Sequence, residues 1–253
     1  MRDSSQLPSA AAGYRWSGLT DPGVVREHNE DAVHPMGTGG GAEGVVAVAD
    51  GLGGHPGGDV ASRLAIEAVA SHDAADPGTL VAEARQTVVE HIMVETEERP
   101  ELIAMATTLT VALLRSTGSA TVGHVGDSRL YLLHEGVLAQ ITEDHTIAME
   151  MIRRGELTPE AAEDDPAWHV ISNWIGFERS HVETHELFVE PGDSLLLCTD
   201  GLSNMVEDGD IEAILNESSP VEARAERLIS AANEAGGVDN ISVVVVDVVA
   251  PRE

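Results

Sequence analysis

Hydrophobic and polar positions alternate in blocks along this chain, and the blocks change period. Residues 14–20 alternate as a strand does. Residues 45–49, Val-Val-Ala-Val-Ala between Gly and Asp, read as a short buried strand. The period then lengthens. Val60, Ala61, Leu64, Ala65 and Ala68 predict a helix over 59–71, and Leu80, Val81, Ala84, Val88, Val89 and Ile92 predict a second over 79–98. Residues 107–114, 120–125, 129–133 and 137–141 return to strand character between glycines, with His134-Glu135-Gly136 as a hairpin turn. A helix is predicted over 145–155, and 156–180 has no clear period and reads as a mobile excursion. Strands follow at 182–188 and 194–199. Helices follow at 209–216 and 220–235, the second capped by Ser218-Ser219-Pro220 and stopped by Gly236-Gly237. The last strand is 241–249. Gly37–Gly41 reads as a hairpin connection, and 1–12 as a loose tail.

Strands arrive in runs and helices in pairs, without strict βαβα alternation. The expected class is therefore α+β with largely antiparallel sheets, in one domain without repeats or a dividing linker. Of 253 residues 42% are hydrophobic, which offsets the disorder that a high net charge favours. Aromatic residues make up only 3%, so the core must rest on Val, Leu, Ile and Ala.

Charge narrows the function. Asp and Glu number 44 against 14 basic residues, all of them Arg, for a net charge of −30. Such a chain offers no broad cationic face to nucleic acid or anionic lipid. One cysteine, Cys198, excludes an internal disulfide and fits a reducing compartment. The absence of a long apolar run argues against a membrane span, and the first residues lack the pattern of a secretory signal.

The acids fall in a repeated place. Asp50, Asp127 and Asp200 each end an apolar strand, Asp239 precedes the last one, and each lies beside Gly or a tight turn. Carboxylates at strand ends should meet near one rim of a sheet, where they repel and lose hydration. Two arrangements relieve this: the acids are scattered and solvated, or they neutralise a cation. An Asp-Gly pair is a common turn, so any single one favours the first; the repetition favours the second. All-oxygen ligands select Mg²⁺ or Mn²⁺ over Zn²⁺, and two such ions sharing a carboxylate can polarise a phosphoryl group and generate hydroxide for in-line attack.

Seven segments then carry a resemblance. They are Asp21-Pro22-Gly23-Val24-Val25-Arg26-Glu27-His28-Asn29-Glu30-Asp31; Val48-Ala49-Asp50-Gly51-Leu52-Gly53-Gly54-His55; Met105-Ala106-Thr107-Thr108-Leu109; Val125-Gly126-Asp127-Ser128-Arg129; Thr142-Glu143-Asp144-His145; Cys198-Thr199-Asp200-Gly201-Leu202; and Gly237-Val238-Asp239-Asn240-Ile241-Ser242. In this order, over about residues 14–249, the chain resembles the bacterial metal-dependent type 2C protein Ser/Thr phosphatases. The resemblance implies a four-layer α-β-β-α sandwich of two antiparallel sheets with a binuclear metal site at one end. It implies a catalytic domain over 13–250 with a flap at about 145–178. It implies that Asp50 bridges two Mn²⁺ or Mg²⁺ ions, that the Gly51 carbonyl ligates one of them, and that Asp200 and Asp239 complete the first site. Asp127 with Asp200 would form a third. Glu30 and Asp31 would hold metal-bound waters, Arg26 would grip the phosphate, and Asn240 would support the site. A hydroxide bridging the metals would attack phosphorus in line, without a phosphoenzyme. The implied partners are phosphoproteins made by bacterial Ser/Thr kinases, met by a cytoplasmic monomer that binds neither nucleic acid nor membrane. The alternatives are a catalytically weak member that binds phosphoproteins as a regulator, and an acidic cation-binding protein.

Other features are weaker. The glycines of 51–57 miss the dinucleotide spacing because Pro56 takes the third glycine's place. His55 is a candidate proton donor or a solvent-facing residue. Arg153-Arg154 either touch a phosphopeptide or complement a helix end. Cys198, inside an apolar strand, is expected in the core. Ala106 stands where the family has Gly, and Asn173 where bacterial members commonly carry Arg, beside a large Trp174.

Overall fold

The computed structural model describes residues 12–52, 57–71, 76–95, 98–162, 165–176 and 180–251. Nearly all of the expected tail, and His55, lie outside these residues. Ala12, the last residue of the expected tail, is buried, its N–H donating to the Ser116 carbonyl at 2.9 Å.

Two antiparallel sheets face each other. One has six strands: β1 (Gly13–Asp21), β3 (Gly37–Gly41), β7 (Arg129–His134), β8 (Val137–Gln140), β10 (Ser194–Cys198) and β11 (Ile241–Val249), in the order β3-β1-β11-β10-β7-β8. The other has five: β2 (Asp31–His34), β4 (Gly44–Asp50), β5 (Leu109–Arg115), β6 (Ser119–Val125) and β9 (Glu183–Phe188), in the order β2-β4-β5-β6-β9. Between them pack Val46, Val48, Ala112, Leu114, Leu195, Leu197, Val244 and Val246.

The alternate positions face outward and are equally apolar. Ala47, Ala49, Val111 and Leu113 pack on helices α1 (Gly58–Ala70) and α2 (Pro77–Glu95). Leu196, Cys198, Val243 and Val245 pack on α6 (Asp208–Leu215) and α7 (Val221–Glu234). Both faces of each sheet are covered, which is why the central strands read as unbroken apolar runs instead of alternating ones. The architecture is the expected α-β-β-α sandwich.

Several details depart from the sequence reading. Gly37–Gly41 is an edge strand paired with β1, from Tyr14 opposite Gly41 to Gly18 opposite Gly37. The glycines make room for Trp16, since a Cβ on Gly39 would lie 2.5 Å from the indole Nε1. Strand β2 was not anticipated. Pro220, not a serine, caps α7, and no side chain accepts a cap hydrogen bond there. The stretch 156–180 holds a short helix, α4 (Pro159–Ala162), and a 3-10 turn at Pro166–His169. Exchanged backbone bonds between Thr107 and Ile175, at 2.9 and 2.8 Å, anchor it to the sheet, with Ile175 fully buried.

Candidate active site

Antiparallel register brings the strand-end acids together. β10 ends where β11 begins, Cys198 opposite Val243, so Asp200 and Asp239 leave neighbouring strands at one edge. Asp31 lies directly opposite Asp50 on β2 and β4. β4 pairs with β5 and β5 with β6, Leu109 opposite Val125, which sets Asp127 at the same rim. Asp200 does not end a strand, as the sequence reading had it; it opens a four-residue helix, α5 (Asp200–Ser203).

Local bonds hold these positions. The Asp50 N–H donates to Thr108 Oγ1 at 2.9 Å, and Thr108 Oγ1 meets Ser128 Oγ at 2.8 Å, so one hydroxyl joins the Asp50 strand to the Asp127 loop. Gly126 turns that loop at φ 117°, a conformation that disfavours any side chain. Asn240, buried, donates from Nδ2 to the carbonyls of Pro22 and His28 at 3.0 and 2.9 Å and accepts from the Glu30 N–H at 2.8 Å. It thereby clamps the loop that carries Arg26 and Glu30. Gly51 is fixed by its N–H bond to the Glu30 carbonyl at 3.1 Å.

The electrostatics are those of crowded acids. Burial raises Asp50 well above the usual carboxylate range, and Asp31, Asp200, Asp127 and Asp239 each push it further. Burial and then Asp200 push Asp127 up to about 8. Burial pushes Asp31 up to about 7, against hydrogen bonds from Ser242 and Thr199 that pull it down. Asp200 is raised by burial and Asp239, and Glu30 by burial and Asp59. Arg26 pairs with Asp239 at 2.7 Å, Asn204 donates to Asp200 at 3.0 Å, and Thr199 donates to Asp31 Oδ2 at 2.8 Å. Among the described residues no three acids, histidines or cysteines form a closed cation cage, and Arg26 is the cation paired with Asp239 at the rim. The set nevertheless fits a divalent cation: its donors are all oxygens that raise one another's affinity for positive charge, and the buried Asp31 Oδ1 has no partner.

The sequence reading passed over a second layer. Arg129 holds Asp144 through Nε at 3.0 Å and Nη2 at 2.8 Å, a buried bidentate pair that also reaches Tyr131. With Asp127, Asp200, Asn204, Trp168 and His169, Arg129 and Asp144 line a cleft beside the rim. Arg and Asp stood in two quoted segments, but no spacing in the chain shows that they meet. Asn173 takes both roles of its amide: it accepts from the His181 N–H at 3.0 Å and donates to the His181 carbonyl at 2.7 Å and to His145 Nδ1 at 3.0 Å. Asn173 thereby tethers this segment to His181 and His145. Arg153 and Arg154 pair with Glu143 and Glu150 at 2.6 and 3.1 Å at the end of α3 (Ile147–Arg153). Ala106 is buried without strain evident at its position, its carbonyl accepting from Leu52.

The family model for protein phosphatase 2C matches residues 24–240. The chain belongs to the protein phosphatase 2C family. It is 38% identical to the serine/threonine phosphatase stp of Listeria monocytogenes over 242 residues, 90% of this chain and 93% of that one. It is 39% identical over 239 residues to the serine/threonine protein phosphatase PstP of Mycobacterium tuberculosis, 93% of this chain but 45% of that protein. Among solved structures, the M. tuberculosis PstP/Ppp phosphatase superposes with a TM-score of 0.82 at 36% identity, covering 93% of this chain and 98% of that one. The catalytic domain of PstP in complex with two manganese ions gives 0.80 at 37% identity, covering 94% and 99%.

Two expectations follow from this 2C-type site. In chelator, thermal stability should fall as pH rises from about 7 to 9, because the native protein holds a proton on Asp127 up to about 8 that the unfolded chain has already lost. Below about pH 6.5 the buried neutral histidines His34, His124 and His145 act in the opposite sense, so the window starts above it. Melting curves with EDTA across that range test this, and a flat or rising Tm would contradict it. Burial pushes the Cys198 thiol up to about 12. Cys198→Ala should therefore keep wild-type turnover, and a thiol-alkylating reagent should leave the folded protein active; inactivation without unfolding would refute this.

Proposed function

We propose that this chain is a metal-dependent protein phosphatase acting on phosphoserine and phosphothreonine. One observation carries the reading: four aspartates at or just beyond strand ends and one exposed guanidinium converge on a single rim, in a protein phosphatase 2C chain. Asp50, the Gly51 carbonyl, Asp200 and Asp239 would hold two Mn²⁺ or Mg²⁺ ions, and Asp127 with Asp200 a third. Glu30 and Asp31 would orient waters. Ions held there supply Lewis acidity toward the phosphoryl oxygens and make water a competent nucleophile near neutral pH.

The protein's own groups do the rest. Arg26, its side chain 43% exposed, presents a planar fork to two phosphate oxygens. Its pairing with Asp239 keeps the guanidinium at the rim before substrate arrives. Cys198 is buried in the core, so it is not placed to accept the phosphoryl group. The phosphorus–oxygen bond of the ester breaks, water supplies the new oxygen, and the alkoxide leaves as the Ser or Thr alcohol after taking a proton from solvent. We assign residues 13–250 to the catalytic domain and the segment from about 145 to 178 to a flap over the site. The partners we infer are phosphoproteins made by bacterial Ser/Thr kinases, met by a cytoplasmic monomer. No described helix is long and apolar enough to cross a membrane.

The test is turnover of a phosphothreonine peptide. Hydrolysis with Mn²⁺ or Mg²⁺ that stops in EDTA and returns on adding metal supports the reading. Full activity in EDTA, or none with either ion, overturns it.

A further inference from the structure

Arg26 has unlike neighbours. Val24 and Val25, just before it in sequence, and Val238, just before its partner Asp239, are exposed at 68%, 63% and 50%. They belong to two loops stitched together at the rim. The N–H groups of Val24 and Val25 both donate to the Gly237 carbonyl, at 2.8 and 3.2 Å. Val24 lies so close over Gly237 that a Cβ there would come within 2.8 Å of its Cγ2. Val238 is the next residue, and Asp239, the partner of Arg26, follows it. Acids are also near: Glu27, the next residue, and Asp59 are exposed, and Arg26, Asp59 and Asp239 all act on Glu30.

Single exposed valines are ordinary on a protein surface. Three on hydrogen-bonded loops that also carry the phosphate-gripping arginine form a fixed apolar edge to the site. A phosphate held at Arg26 would place the neighbouring residues of its chain about 3.8 Å per residue away, within reach of that edge. We propose that Val24, Val25 and Val238 form a shelf selecting phosphoprotein segments with an apolar side chain beside the phosphoserine or phosphothreonine. This rests on the phosphatase reading above. The occupant is set by charge as well: with Glu27, Glu30 and Asp59 near Arg26 and a net charge of −30, the segment should carry basic, not acidic, residues away from the shelf.

The experiment compares phosphothreonine peptides that differ only in the flanking residue, Leu, Ser or Glu, with p-nitrophenyl phosphate as a substrate lacking flanks. All assays contain Mn²⁺. For the wild type, kcat/KM should be about tenfold higher with Leu than with Ser, through KM, and lowest with Glu. Val24→Ser/Val238→Ser should erase the Leu advantage and leave p-nitrophenyl phosphate turnover unchanged. Val24→Lys/Val238→Lys should move the preference toward Glu. Equal use of all three peptides by an active wild type, or a Leu preference surviving both double variants, overturns the shelf alone. A wild type inactive on the peptides and on the small ester overturns the phosphatase reading, and the shelf with it.

Discussion

Asp50→Asn should lower kcat/KM on a phosphothreonine peptide by about a thousandfold or more while making the chelated protein more heat-stable. The two effects share one cause. Asp50 is the carboxylate on which Asp31, Asp200, Asp127 and Asp239 all act, and burial deepens the penalty. Asn has nearly the same shape but no charge. It removes the repulsion that destabilises the rim and the negative centre that two cations would share. The Tm gained on adding Mn²⁺ should therefore shrink, since a ligand stabilises only through its affinity for the folded state. Asp239→Asn should lower turnover and the Mn²⁺ stabilisation likewise, and it also loses the Arg26 ion pair. Near-normal metal-dependent turnover in either variant, or undiminished stabilisation by Mn²⁺, would show that these are not the ligands.

Arg26→Ala should cost about a hundredfold in kcat/KM for phosphopeptide, with a rise in KM and with metal binding retained. The guanidinium is exposed and bonds only Asp239 among the described side chains, so removing it leaves no buried group unpaired and should not unfold the protein. Arg is irreplaceable here in a literal sense, since the chain has no Lys to substitute for it. Arg26→Lys keeps the charge but loses the fork, and should recover only part of the activity. Steady-state kinetics of both variants, with Mn²⁺ titrations alongside, test this; unchanged phosphopeptide kinetics would remove Arg26 from the site.

The site explains how so acidic a protein can take a phosphate. Most of its 44 acids are spread over the surface, but the rim concentrates several against one another. Cations drawn there would reverse the local field, which Arg26 extends toward the substrate. Elsewhere the acids remain, and they should favour substrates whose flanks are basic.

Much of this was legible in the chain. The long helices over 59–71 and 79–98 and the strand at 241–249 are set by local period, and packing left them nearly where the pattern had them. The acids beside glycines at strand ends marked the site, because such a carboxylate needs a tight turn and an apolar strand before it. Local pattern failed where pairing or packing outweighed it. Gly37–Gly41 has no strand propensity and is a strand because β1 lends it hydrogen bonds and Trp16 covers it. β2 is four residues long, too short to show a period. The 3-10 turn that brings Trp168 and His169 to the rim lies in a stretch with no period, pinned by bonds to Thr107, 68 or so positions away in sequence.

Residue type and order were therefore enough for the α+β class, the apolar strands and the acidic ligand candidates, since each depends on neighbours a few positions apart. Which acids meet, how far their protons are held, that Asn240 clamps the Arg26 loop and that Arg129 grips Asp144 were decided only by the folded chain. These depend on antiparallel register and on burial, which join residues as distant as Pro22 and Asn240, 218 positions apart, and no local pattern carries that information.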